Sequence, residues 1–179
     1  MAEAGVSLSL TLTGGDAVGR ALFGLQFHVE NLRPVHDEIG AAFLMRSQRC
    51  FEEERGPDGK PWKLLSAETV LKRAGGRAKV YNAKGGIRKP AAKRIGAIAI
   101  LRESARLFQS MTYRATRTGV EIGTNAVYGR IHLLGGQAGR GRKVAIPARP
   151  YLPTKELPHG WAEDALAIVN DYIRGGLPR

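Results

Sequence analysis

Four histidines, one cysteine and a run of three glutamates are the side chains from which this chain could build a reactive site. His28, His36, His132 and His159 form no HxxxH pair with a nearby carboxylate, and Cys50 has no second thiolate, so no metal centre is signalled. One cysteine also excludes an intrachain disulfide. Glu52, Glu53 and Glu54 are adjacent on a helix and point in different directions, which suits a solvated helix end better than paired acid–base work. No GxSxG elbow, no GxxxxGK[ST] loop and no strand-borne GxGxxG occurs. Ala138–Lys143 (AGRGRK) resembles a strand-binding RG repeat only weakly, having no aromatic for base stacking. His132, inside YGRIHLLGG, is expected to be packed or interfacial. These residues predict neither catalysis nor a cofactor.

Charge is the stronger signal. Lys and Arg number 28 against 16 Asp and Glu, a formal net charge of +12. Such an excess points to polyanionic or acidic partners. It is unevenly placed, because no acid occurs from Thr69 to Arg102 or from Ile122 to Lys155. The first window mixes its cations with Gly75, Gly76, Gly85, Gly86 and Pro90, so residues 74–93 are expected to be a long mobile loop extended by like-charge repulsion. The second window contains GGQAGRGRK. Lys84, Arg88, Lys89, Arg140, Arg142 and Lys143 are therefore the candidate contacts to a polyanion, including non-specific contact with DNA.

The elements that would carry these residues follow from periodicity. Val6–Leu12 alternates as a half-buried strand, and Val18, Leu22, Leu25, Val29 and Leu32 make one helical stripe after Asp16 as cap. Pro34 punctuates, and a second helix runs from Val35 to about Glu54, stopped by Arg55-Gly56-Pro57. Ser66 caps a short helix at Ala67–Arg73, and another is expected at Glu103–Gln109. Met111, Tyr113 and Ala115, a Thr118-Gly119 turn, then Val120 and Ile122 read as a β-hairpin. Val127, Ile131 and Leu134 give one apolar helical face before Gly135-Gly136. Trp161, Ala165, Ile168, Val169 and Tyr172 stripe a C-terminal helix with Glu163 and Asp164 expected in its first turn. The 179 residues predict one α+β domain: long N-terminal helices, a small antiparallel sheet and short helices. With aromatics at 7%, aliphatic packing should dominate its core. The longest apolar runs, Ile39–Met45 and Ile95–Leu101, are too short to span a bilayer, and the first residues do not read as a secretion signal. A soluble protein of a reducing compartment is the expectation, with no membrane partner.

Five segments occur in a telling order: FEEERGPDGKPWKLLSAETV, ILRESARLFQSM, IGTNAVYGRIHLLGG, IPARPYL and the final amphipathic helix. This series, over about residues 16–175, resembles the virion morphogenesis, or tail-completion, proteins of Mu-like and related tailed bacteriophages. Leu133-Leu134-Gly135-Gly136 stands where those proteins usually have Gln-Phe-Gly-Gly, and Tyr151-Leu152-Pro153 where they tend to have Phe-Leu-Gly. The resemblance implies a structural role at the head–tail junction of the virion, assembled in the host cytoplasm, with no catalysis and no cofactor. It implies a ring of copies, with a hexamer as one stoichiometry, and neck, tail-tube or connector proteins as neighbours. Pro147, Pro150 and Pro153 keep residues 146–153 extended, to lie either on the chain's own sheet or on a neighbouring subunit. Trp62 and Trp161 are read first as core anchors, with an interface as the other reading. Arg149, Tyr151, Leu152 and Trp161 are the candidate interface residues of the ring. Two other functions stay open: a tail-terminator ring that sets tube length, and a nucleic-acid-binding protein indifferent to sequence.

Overall fold

The computed structural model describes residues 31–175. The expected strand at Val6–Leu12, and the first helical stripe up to Val29, lie outside them. Helix α1 (Arg33–Glu53) begins on Pro34, whose fixed φ suits the first turn and whose missing N–H costs nothing there. It ends where Glu54 turns left-handed (φ 54°) with its N–H still on the Cys50 carbonyl. Val35, Ile39, Phe43, Ser47, Cys50 and Phe51 recur every three or four residues and make the buried face. Against that face lie the hairpin β1 (Met111–Ala115) and β2 (Val120–Thr124), and the C-terminal helix (His159–Gly175). The hairpin pairs Met111 with Thr124 and Ala115 with Val120, and closes through Thr116 N–H on the Gly119 carbonyl (2.8 Å).

Aromatic rings occupy the centre of the core, contrary to the aliphatic expectation. Phe51 is fully buried and meets Trp62, Phe108 and Tyr151 at centroid distances of 5.5, 5.8 and 5.0 Å. Phe43 meets Trp161 at 5.0 Å. A low aromatic content says how many rings exist, not where they gather. Here Trp62, Phe108 and Tyr151 gather on Phe51 and Trp161 on Phe43, both from α1.

The C-terminal helix starts at His159, so Glu163 and Asp164 fall beyond its first turn, not within it as expected from the helix dipole. Asp164 instead reaches across to α1, where both carboxylate oxygens accept from the Arg46 guanidinium, one at 2.8 Å. That bonding holds the Asp164 carboxyl below the usual aspartate range. A depressed folded-state value stabilises above the unfolded value of about 3.9 and is lost as pH falls through the folded one. Asp164→Asn should therefore flatten the acid limb of a stability–pH curve below about pH 4. At neutral pH it should cost no more than about 1 kcal/mol, because the pair is about one-third exposed. Urea titrations at pH 3 and pH 7 would check both limbs.

Residues 74–93 are not an extended loop. Helix α2 (Ala67–Arg73) is capped as expected, the Ser66 hydroxyl accepting from Thr69 N–H at 3.2 Å. Gly75 and Gly76, both at positive φ, then turn the chain into α3 (Arg77–Val80). A turn held by the Asn82 side chain brings Tyr81 opposite Ile87 and leads into α4 (Lys89–Gly96). Ala74, Val80 and Ala91 are buried between these helices, with Leu71, Tyr81, Ile95 and Ile98 around them, a second small core. Small side chains let three short helices approach closely. The cations stay outside in water, where their repulsion is screened.

Helix α5 (Arg106–Gln109) is shorter than expected, starting after Ala105 at φ 54°. Helix α6 (Gly129–Leu134) ends on Gly135 at φ 76° as anticipated, but of the expected apolar face Val127 lies before the helix and is 98% exposed, Ile131 is half-buried and Leu134 is 52% exposed. A second hairpin, β3 (Gly136–Ala138) and β4 (Val144–Ile146), has no counterpart in the sequence reading. Its strands are short and glycine-flanked, without the apolar alternation that betrays the first. The order of helices and two-stranded antiparallel ribbons is α+β, as the sequence predicts.

Candidate functional site

The segment after β4 is a strap tied into the chain's own core. Trp62 Nε1 donates to the Pro150 carbonyl (2.8 Å), and the buried Ser47 hydroxyl donates to the Tyr151 carbonyl (2.7 Å). Arg149 N–H donates to the His132 carbonyl (2.7 Å), and its guanidinium to the carbonyls of Lys63 (2.9 Å) and Leu64 (3.3 Å). The prolines donate nothing, so the partners come from side chains and from carbonyls outside the strap. Tyr151 is fully buried, and that burial pushes its phenol up to about 12. Arg149, Leu152 and Trp161 are 5%, 9% and 3% exposed. All four expected interface residues are thus buried within their own chain, and the strap, expected on the chain's own sheet or on a neighbouring subunit, lies on α1 and the 62–64 segment. The sequence pattern demanded burial but could not say under which copy.

Beside the strap lies a cleft of about 460 Å³ between the 63–66 segment, α2 and β4. Lys63, Arg73, Arg149 and His132 share its lining with Leu65, Leu101 and Ile146. Arg73 pairs with Glu103 (2.9 Å) and donates to the Ala99 carbonyl (3.0 Å). Arg149 has no carboxylate in contact among the described residues, a costly state for a buried charge. Burial, then the nearby Arg73, depress its pKa, while the charge of Glu54 opposes them. Glu54 is not merely a solvated helix end, since its carboxylate accepts from Ile100 N–H (2.6 Å). His132 is half-buried with Tyr128 edge-on at 5.9 Å, and its Nδ1 is buried without a partner. Burial first, then Arg149 and Arg73, hold that imidazole below its usual range, so it is neutral at pH 7. No spacing in the sequence links residues 63, 73, 132 and 149. Folding alone makes this cationic cleft with apolar walls.

The six expected polyanion contacts are all exposed. Lys84 sits on the Asn82–Gly86 turn, its N–H on Asn82 Oδ1 (3.0 Å). Arg88 Nε donates to the Tyr81 carbonyl (3.0 Å) just before Lys89 opens α4. Arg140, Arg142 and Lys143 form the tip of the second hairpin, a 3₁₀ turn with Gly141 and Arg142 both at positive φ. Among the described residues no helix is long and apolar enough to cross a membrane, and no cluster of three or more His, Cys, Asp or Glu could hold a metal ion.

Comparison with known proteins fits this architecture to a family. A stretch of 75 residues, 40% of the chain, is 50% identical to the Mu-like prophage FluMu G protein 2 of Haemophilus influenzae. The match spans half the length of that relative. No solved structure matches the chain. The model of the phage virion morphogenesis family matches residues 15–177, the strap, the cleft and both hairpins included. With nearly the whole sequence inside that match, this chain belongs to the phage virion morphogenesis family.

Proposed function

We propose that the protein is a tail-completion or neck component that helps complete the tail and join it to the capsid, acting as a ring of identical copies at the head–tail junction. The observation that carries this reading is the family match over residues 15–177. Val127, exposed just before α6, and Leu134, exposed at its end, supply apolar surface of the kind a neighbour covers. In this reading the protein performs no catalysis and takes no cofactor. Its work is alignment and adhesion, and a tube of rotational symmetry requires one small chain to repeat around the axis. Lysates made without the protein should contain full heads and separate tails of normal length that lack the completing ring and fail to join. Overlong tails would instead mark a terminator that sets tube length, and normal particles would overturn both. Washed wild-type particles should hold several copies each by quantitative mass spectrometry.

The exposed cations favour a second role within the same ring, non-specific contact with DNA in its channel. Such binding weakens linearly with the logarithm of salt concentration. Replacing Lys84, Arg88 and Lys89 by Ala should flatten that slope by up to about three charges' worth. No binding by the wild-type chain at about 50 mM salt would assign these cations to acidic protein neighbours.

A further inference from the structure

We propose that the cleft beside the strap receives the Glu156–Leu157 tip of a second copy of this chain, the carboxylate meeting Lys63, Arg73 and Arg149 and the leucine the wall of Leu65, Leu101 and Ile146. The inference rests on the ring reading above and names one of its contacts.

The receiving side is short of negative charge. Three cations line the cleft, and among the described residues only Arg73 has a carboxylate in contact, the largely exposed Glu103. Arg149 is 5% exposed, its guanidinium bonds go to two carbonyls, and among the described residues no carboxylate touches it, Glu54 acting on its charge only from beyond contact. A carboxylate entering this recess would form charge-assisted hydrogen bonds in a partly desolvated place, where they are stronger than at an open surface. The apolar wall gives the same entrant something to bury. A phosphate backbone fits less well: it needs cations standing in solvent along a track, and those are Lys84, Lys89 and the hairpin tip, not this recess.

The entering side has matching chemistry. Leu157 is 44% exposed, and of the large exposed apolar residues described it is the one directly preceded by a carboxylate. Glu156 is exposed and makes no ion pair among the described residues. Pro153 and Pro158 bound the tip, so ordering it on a neighbour loses little conformational freedom. Glu156 lines a separate recess with Pro57 and Pro150 of its own chain, and neither tip residue lines its own cleft. A contact between two different patches is heterologous, and it closes into a ring when the rotation allows.

The full chain can be titrated with an end-blocked peptide of residues 153–158, reading the His132 imidazole by NMR as a reporter on the cleft wall. A saturable shift is expected. The same peptide with Gln in place of Glu156 should bind about tenfold more weakly, the loss of one charge-assisted contact. In sedimentation, Lys63→Glu and Glu156→Lys should each reduce assembly of the chain, and the double variant should restore it. Both positions are exposed, so circular dichroism should be unchanged. No shift at about 5 mM peptide, a weaker affinity than a specific contact would show, or equal binding of the Gln peptide, overturns the proposal. So does assembly of both single variants at the wild-type level, an outcome that leaves the ring standing. A wild-type chain that is monomeric in solution and present once per particle overturns the ring itself.

Discussion

Tyr151→Asp should destabilise the isolated chain by more than about 4 kcal/mol. The phenol is fully buried, its ring lies 5.0 Å from that of Phe51, and a Cβ on Gly129 would come within 3.0 Å of its hydroxyl. A carboxylate there would lose its water and gain no cation, while the ring contacts of Phe51 would be lost. Such a change costs more than about 4 kcal/mol, against a total stability of about 5–15 for a domain of ordinary size. The urea midpoint of the isolated variant should fall steeply from that of wild type. Tyr151→Phe keeps the ring and should stay within about 1.5 kcal/mol of wild type. A Tyr151→Asp midpoint equal to that of wild type would mean that the strap detaches from the core and is free to lie on a neighbour.

Gly40→Val should separate the first hairpin from α1. Gly40 is buried in the middle of the helix, where glycine costs about 1 kcal/mol relative to alanine, so a reason for it must lie outside the helix. The Tyr113 ring is that reason: an added Cβ would stand 2.3 Å from its Cδ2 and 2.9 Å from its Cγ. A clash with Cγ, close to the backbone, is not relieved by turning the ring about its axis. Overpacking of this kind costs roughly 1–3 kcal/mol and more when the new residue is β-branched, so a loss of about 3 is expected. Tyr113→Ala, which removes the obstructing ring, should recover part of that loss in the double variant. Additive effects in urea titrations would show that the two residues are not in contact.

Local order was legible wherever a single segment carried both its pattern and its punctuation. Helix α1 has a four-residue apolar repeat with a proline at one end and Arg55-Gly56-Pro57 after the other, and its limits fall within two residues of expectation. Ser66 capped α2 where its type and position required, and the first hairpin has the strands that alternation indicated. Residues 74–93 misled because glycines and like charges dominate their composition, whereas three small buried residues, Ala74, Val80 and Ala91, decide their structure. The cleft was illegible for a different reason. Lys63, Arg73, His132 and Arg149 come from four segments, and no spacing along the chain joins them.

By itself the sequence determined the α+β class, the long first helix, the strongly basic surface and, through five segments in order, the family. Those properties reside in local periodicity, in net charge and in linear pattern, all of which survive in an unfolded chain. Only the tertiary structure decided that Arg149, Tyr151, Leu152 and Trp161 face their own core, that Val127 and Leu134 face solvent, and that Arg149 stays without a carboxylate in contact among the described residues. Burial is a relation between segments distant along the chain. The same apolar residue satisfies the hydrophobic effect equally well under its own strands or under another copy's, so the choice exists only once the chain has folded.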